Sequence, residues 1–306
     1  MDKQKRYSDY NTYLRRLFGQ RVQKITIDAG LSCPNRDGTL SRKGCIYCNQ
    51  KGSGTGMAAR GISITDQIRA GRTAMVKKYK AKKFLAYFQS YTNTYTTCER
   101  MKQMYDEALA CEGMVGLAIG TRPDCIDGQK LDLIQSYTDR YLVWLEYGLQ
   151  SAHDSTLELI NRGHGFRQFA DAVEMTSGRG INICAHVILG LPGETRKMML
   201  ETASILAGTG VNGVKIHLLY VIKGTILDRM WQKGEYTPME QQEYVDIVCD
   251  FLELLPENII IQRITGDPHS DELRAPEWAV RYRQTFNMIQ HTLEKRDSFQ
   301  GMRYKG

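Results

Sequence analysis

No uninterrupted apolar run in this 306-residue chain is long enough to span a bilayer, which argues against a helical membrane anchor. The opening "MDKQKRYSDY" carries charges with no apolar segment behind it, so no secretory signal is expected and the cytoplasm is the expected compartment. There is no Ser/Gly-rich linker, no low-complexity tract and no repeat beyond an alternation of strands and helices. A secreted disulfide framework does not fit either. Eight cysteines in a cytosolic chain read as metal ligands or buried thiols. What remains is an ordinary soluble composition, 42% hydrophobic and 25% charged, with enough apolar material for one large core.

The formal net charge is +7, and much of the excess is local. Residues 1–24 carry Lys3, Lys5, Arg6, Arg15, Arg16, Arg21 and Lys24 against Asp2 and Asp9, and Lys77, Lys78, Lys80, Lys82 and Lys83 form a second cluster. Such runs are either a solvated helix face or the footprint of a polyanion such as RNA. Both readings stay open at this level.

Strand-type runs at 22–28, 84–90, 114–121, within 141–151, 181–194 and 213–225 alternate with helical patterns at 66–82, 98–110, 129–140, 166–180 and 195–210. That alternation predicts parallel βαβ units and a partial barrel of the (β/α)6 type. After residue 225 the rhythm changes to a helix (238–256), a strand (258–267) and a closing helix (275–297). The expected organisation is a barrel with a basic N-terminal extension over 1–225 and a C-terminal α/β extension packed on it over 226–306, as one structural unit.

The stretch "LSCPNRDGTLSRKGCIYCNQ" (31–50) holds Cys33, Cys45 and Cys48. It follows the first strand, at the end of a parallel barrel where chemistry gathers. A structural zinc site takes four protein ligands, and no fourth is evident here. Three thiolates suit a [4Fe–4S] cluster with one iron left open. The other five cysteines, Cys98, Cys111, Cys125, Cys184 and Cys249, form no C-x-x-C pair, so one cluster per chain is expected.

The loop resembles the signature of the radical SAM superfamily, including the aromatic Tyr47 before Cys48. Its eleven-residue gap between Cys33 and Cys45 is closest to the elongator-like, tRNA-modifying branch. "LEYGLQS" with "HDSTLELINRGH" resembles the fourth-strand motif of the elongator and oxygen-independent coproporphyrinogen dehydrogenase groups, and "VILGLPGET" the fifth-strand motif. "YFQSYTNTY" stands in the second-strand place and departs from the usual Gly-Gly-Glu pattern. "LLYVIKGTILDRMW", "IQRITGD" and "APEW" resemble small bacterial proteins of the YtqA/YhcC type.

The resemblance implies a radical SAM enzyme, with Cys33, Cys45 and Cys48 on the cluster. S-adenosylmethionine (SAM) would lie near Tyr47, Gln89, Ser90, Asn93, Glu146, Gln150, Arg162, Gly190 and Gly193, with His164 close behind. One electron entering the sulfonium S–C bond would release a 5′-deoxyadenosyl radical. It further implies a tRNA wobble-uridine substrate, trimmed from 5-carboxymethylaminomethyl to 5-aminomethyl after hydrogen abstraction beside the amine. An electron donor such as flavodoxin or ferredoxin and a partner methyltransferase come with that reading. Acetyl transfer does not, because only about eighty residues follow the last barrel strand.

Blander readings stand beside these. Glu146 can be a buried carboxylate paired with a structural arginine, and Asp124 a helix cap or a ligand contact. "LPGE" also reads as an ordinary strand-to-helix turn, with Glu194 near the helix N-terminus. His164 and His217 suit core or rim hydrogen bonding, and Trp144 and Trp231 packing. Tyr220, Lys223 and Arg263 are candidate substrate contacts. Competing functions are radical chemistry on a small molecule such as a tetrapyrrole precursor, and a non-catalytic zinc-dependent RNA-binding module.

Overall fold

The computed structural model describes residues 5–306 except 53, 267 and 269. Asp2 and Lys3 of the basic N-terminus and Asp267 of "IQRITGD" therefore lie outside the described residues. Strands β1 (Val22–Ile27), β2 (Lys83–Phe88), β3 (Met114–Thr121), β4 (Leu142–Gln150), β5 (Asn182–Leu189) and β6 (Gly213–Leu218) lie side by side in chain order, all parallel. A short β7 (Val221–Ile222) leaves this sheet, while β8 (Ile260–Arg263) rejoins it as a seventh parallel strand beside β6. The C-terminal extension thus contributes a strand to the same half-barrel, one more than the six-strand rhythm suggests. The last strand, β9 (Leu273–Ala275), pairs antiparallel with β7 over the rim.

The strands are buried on both faces, which is why they read as near-continuous apolar runs. Helices α1 (Tyr10–Phe18), α2 (Ile64–Tyr79), α3 (Cys98–Leu109), α4 (Gly128–Gln135), α5 (Asp154–Leu159), α6 (Phe166–Thr176), α7 (Arg196–Ala207), α8 (Ile226–Gln232), α9 (Gln241–Leu254) and α10 (Tyr282–Lys295) supply the connections and the outer layer. Most begin where the sequence offers a capping oxygen. Asp9, Ser63, Thr97, Asp127, Thr195 and Thr225 each accept a hydrogen bond from a first-turn amide. The helix expected over 129–140 stops at Gln135, and the expected 275–297 helix is a 3-10 turn followed by α10.

The concave face is layered along the strands. At the N-terminal ends, Val22, Leu85, Ala118 and Trp144 form an apolar floor, and α1 closes it from outside with Tyr10 and Leu14. Tyr10 and Tyr13 meet Trp144 edge-on, with ring centroids 5.5 and 5.9 Å away. Helix α1 did not stand out in the sequence pattern, yet it is what seals the half-barrel. It is tied to the far edge by Ile261, whose amide donates to the Ser8 carbonyl at 2.8 Å, and by a parallel bridge from Asp9 to Ile261. The terminal tail locks the segment in place: the Gln300 amide donates to the Arg6 carbonyl at 2.9 Å, and Ser8 donates to the Gln300 side chain at 2.9 Å.

Trp144 is therefore the packing residue expected, fully buried between α1 and the sheet, and Trp231 packs at the edge of a separate apolar cluster under the rim. Trp144→Ala is expected to cost about 3–5 kcal/mol of folding stability, read by urea unfolding, because α1 cannot collapse into the space left.

Candidate active site

The cysteine loop leaves β1 at the C-terminal end of the sheet. Ile46 anchors it: the Ile46 amide donates to the Ile160 carbonyl at 3.1 Å, its carbonyl accepts from Leu227 at 2.9 Å, and its side chain joins the rim cluster. The "NRGH" segment after α5 clasps the same loop. Asn161 donates to the Gly44 carbonyl at 2.6 Å, and Asn35 donates to the Asn161 carbonyl at 2.6 Å. Two motifs distant in sequence are thus one physical unit.

Cys33, Cys45 and Cys48 all line one cavity of about 500 Å³ above the floor, together with Tyr47, Gln89, Glu146, Gln150 and Arg162. Arg162 is buried under the loop. Its Nη1 lies 3.6 Å from the Cys45 sulfur and its Nη2 donates to the Gly148 carbonyl at 2.6 Å. A Cβ at position 148 would fall 2.4 Å from that nitrogen, so the glycine in "EYGLQ" makes room for the guanidinium. Two residues on, a bulge interrupts β4 and Gln150 takes a left-handed backbone, φ 78°. A non-glycine residue held there is strained, and the bulge aims its side chain into the cavity.

The remaining expected SAM neighbours, Ser90, Asn93, Gly190 and Gly193, fall outside this lining. Asn93 spends its amide donors on the carbonyls of Phe88 (3.1 Å) and Gly120 (2.8 Å), holding the ends of β2 and β3 together. Ser90 is buried against Gly54, its hydroxyl without a hydrogen-bond partner among the described residues. Gly190 has φ 87°, and the groups that approach it closely are Met239 and the Tyr236 hydroxyl, which donates to its carbonyl at 2.9 Å. Gly193 faces Leu159. Glu194 accepts from Ser151 of the fourth-strand motif, while Thr195 caps α7. Asp124 neither caps α4 nor lines the cavity. It forks Arg122 at 2.8 and 2.7 Å, Asp127 does the capping, and Arg122 in turn donates to the Arg162 carbonyl at 2.7 Å. His164 turns its Nδ1 to the Gly165 carbonyl at 3.2 Å. Tyr220 and Arg263 line the cavity, and Lys223 an outer groove.

Glu146 is fully buried, but its partners are not arginines. Lys24 donates to Oε1, and His186 Nε2 and Lys215 Nζ to Oε2 at 2.7 and 2.8 Å. Burial alone pushes this carboxyl up. The charges of Lys215 and Lys24 and the His186 hydrogen bond reverse that and hold it well below the usual carboxylate range. Burial lowers His186 to about 4, so it donates as a neutral imidazole. Burial also brings Lys215 down to about 8, against the pull of Glu146. Lys24, Lys215, His186 and Tyr87 were not singled out as site residues. Their signal was there: a lysine in "GVKIHLL" and a histidine in "CAHVIL" sit at inward positions of apolar central strands, where an unpaired charge is costly.

Outside the cavity, and sharing Arg36, Cys45 and Cys48 with it, lies a groove of about 850 Å³. Arg36, Lys43, Lys51, Lys223 and Arg229 line it against Glu272. Of the basic residues of the N-terminus and of 77–83, Lys24 lies under the cavity on Glu146, while others gather elsewhere. Arg21 and Lys78 stack on Tyr79 and Lys83 on Phe18, at the N-terminal ends of β1 and β2. That pole is a strand length, about 17–20 Å, from the cysteines.

Comparison with known proteins agrees with this architecture. Residues 38–206 match the model of the radical SAM superfamily, and residues 211–295 that of the Radical_SAM C-terminal domain. The chain is 40% identical over 298 residues to the uncharacterized protein YtqA of Bacillus subtilis, covering 97% of this chain and 92% of that one. It is 30% identical over 156 residues to the tRNA uridine(34) acetyltransferase of Dehalococcoides mccartyi, which is half of this chain and 33% of the other. Among solved structures, the Methanocaldococcus infernus Elp3 with an N-terminal deletion superposes with a TM-score of 0.70 at 18% identity, over 91% of this chain and 64% of that one. The chain belongs to the radical SAM superfamily and is a radical SAM enzyme, which implies a [4Fe–4S] cluster and SAM.

The residues present fit those groups. Three thiols open on one cavity, and the donors around them, Arg162 Nη1 and Asn35 Nδ2, each 3.6 Å from the Cys45 sulfur, suit anionic sulfur. Burial and the neighbouring Cys45 hold the Cys48 thiol up at about 11, so ligation has to supply the compensating charge. Among the described residues no three His, Cys, Asp or Glu side chains converge on one metal ion. A cluster spreads its thiolates over separate irons. Among the same residues no helix is long and apolar enough to cross a membrane.

Glu146→Gln leaves Lys24 and Lys215 facing a neutral amide. It is expected to cost about 3–5 kcal/mol at pH 7.5, measured by urea unfolding. Because the folded carboxyl is depressed, its contribution is complete above the ordinary value of 4.5 and is lost as pH falls. The gap between the two proteins should therefore narrow at pH 4.

Proposed function

We propose that Cys33, Cys45 and Cys48 hold the cluster, that Tyr47, Gln89, Gln150 and Arg162 hold SAM, and that the substrate is a tRNA wobble uridine. The observation carrying the first two parts is the convergence of these side chains on one cavity. Within it, Arg162 is the residue best placed to bind, since it already spans the Cys45 sulfur and the β4 bulge. When both groups are bound, they supply hydrogen-atom abstraction by a 5′-deoxyadenosyl radical. The protein's work is to fix that geometry and exclude water. Arg122, locked by Asp124, holds the backbone of Arg162; Glu146 acts from below, fixing Lys215 and His186. Ser90, Asn93, Gly190 and Gly193 support the strand ends around the site.

The tRNA reading is supported by the likeness to a tRNA uridine(34) acetyltransferase and by the basic groove at the cavity mouth. Phosphates are attracted to such a surface irrespective of sequence. The proposed net conversion is 5-carboxymethylaminomethyluridine plus water to 5-aminomethyluridine plus a two-carbon aldehyde acid, the two electrons of the C–H oxidation being balanced by reduction of SAM to 5′-deoxyadenosine and methionine. A flavodoxin or ferredoxin is the proposed electron source, and a methyltransferase the proposed consumer of the amine. The footprint near the site is then the groove and not the N-terminal pole.

Anaerobically reconstituted protein given SAM and dithionite should form 5′-deoxyadenosine, by liquid chromatography, and Cys33→Ala, Cys45→Ala and Cys48→Ala should each abolish it. A wobble-uridine profile unchanged in a deletion strain removes the tRNA substrate and leaves radical chemistry on a small molecule.

Binding of tRNA should be steeply salt-dependent. Lys43→Gln, Lys223→Gln and Arg229→Gln should each lower the slope of log K against log salt by about 0.7–0.9, by filter binding. Arg16→Gln and Lys78→Gln, at the opposite pole, should leave it unchanged.

A further inference from the structure

The cavity floor holds more positive charge than the protein itself neutralises. On its β6–β8 side the lining includes Lys215, His217 and Arg263; of the two carboxylates in the lining, Glu146 engages Lys215, and Glu272 is engaged by Asn49 and Lys51. Lys24 lies beneath, engaged by Glu146, by the Gln262 side chain at 2.6 Å and by the rings of Tyr10 and Tyr87. Lys215 is committed to Glu146 and to the Tyr87 hydroxyl, both at 2.8 Å. That leaves Arg263. Among the described residues it has no hydrogen-bond or ion-pair partner, although it pairs in register with Lys215 and faces the cavity. Beside it, His217 presents a buried Nε2 that is also without a partner. The His217 ring lies 5.3 Å from that of His186, whose own Nε2 is taken by Glu146. A buried ring nitrogen left unpaired in this way is a cost that a ligand removes, and the half-buried guanidinium beside it is free to receive the same ligand.

We propose that Arg263 and His217 form an anion subsite on the cavity floor that receives a carboxylate of the substrate. Lys24, Lys215 and Arg263 stand against Glu146, and Glu146 engages the first two. Arg263 is the one of the three left open to the cavity, and a single open guanidinium is matched by a single carboxylate. The planar fork of Arg263 matches a carboxylate in bidentate fashion, and a neutral His217 adds one donor. Burial holds His217 well below its usual value, so it stays neutral. The subsite also lies across the cavity from Gln150 and Arg162 on the β4 side, where SAM is proposed to sit, so the carboxylate it serves is not the one SAM carries. The inference rests on reading the cavity as the radical site, and not on the tRNA assignment.

The test is binding to the anaerobically reconstituted protein with SAM present, by isothermal titration. Two probe pairs are used: N-benzylglycine with N-benzylglycinamide, and 5-carboxymethylaminomethyluridine with its carboxamide. Each acid should bind at least about tenfold more tightly than its amide. Arg263→Gln should abolish the preference, and Arg263→Lys should keep part of it. The dissociation constant for SAM and the electron paramagnetic resonance signal of the SAM-bound cluster should not change, which also shows that the variants are folded. A preference seen for the benzyl pair alone sustains the subsite and removes the wobble-uridine reading. Absence of preference in both pairs overturns the proposal, as does a preference that survives Arg263→Gln. Weakened SAM binding in Arg263→Gln assigns the subsite to SAM and overturns it too.

Discussion

A single buried carboxylate organises this half-barrel. Glu146 lies midway along the central strand and collects Lys24 from β1, Lys215 from β6 and His186 from β5. One negative charge thus links strands from both sides of the sheet across a space that ordinary barrels fill with apolar side chains. The arrangement is costly in isolation, since each ion gives up water. It holds because every oxygen lone pair that matters has a donor and because an aromatic floor keeps competing solvent out. Trp144, one strand step below, and Tyr10 from α1 form that floor.

This layer sets where everything else can be. Below it the interior is apolar and closed. Above it the side chains shrink, with Gly120 on β3 and Gly148 on β4 leaving volume for a cavity. Gly148 is small for a specific reason, since Arg162 occupies the space a side chain would take. Arg162 is held in turn by Arg122 and lies against the cysteine loop. The chain of support therefore runs from Asp124 through two arginines to a sulfur.

The fold was largely legible in the sequence because parallel strands buried on both faces and capped helices leave strong local patterns. The β3 boundaries fall where the apolar run "MVGLAIGT" begins and ends. What local pattern could not show was long-range. Helix α1 is amphipathic but short and arginine-rich, so it resembled an exposed basic segment; its role as a plug follows only from Tyr10 and Tyr13 meeting Trp144. The seventh strand, β8, followed a long helix rather than a βα step, so its return to the sheet is a tertiary fact. At the site, the cysteine spacing and the "LQS" and "NRGH" motifs were readable because their chemistry is tied to residue type. Gln150 was readable as polar but not as a strained residue at a bulge. Gly190 was read as letting backbone approach a ligand, and in the structure its near neighbours are Tyr236 and Met239.

Charge shows the same division between what is local and what is not. Counting lysines and arginines along the chain picked out the N-terminus and residues 77–83, of which Arg21, Lys78 and Lys83 come together around Tyr79 and Phe18. They do so at the N-terminal ends of the strands, whereas a parallel sheet presents its reactive end at the other pole. The cations that flank the cavity, Arg36, Lys43, Lys51, Lys223 and Arg229, come from the cysteine loop and from the turn and helix that follow β7, far apart in sequence, and neither stretch is a charge run. A polyanion steered to this protein would meet both surfaces. Only the second lies beside the thiols, so only there can the long-range attraction that brings a nucleic acid in be converted into the position of a single base.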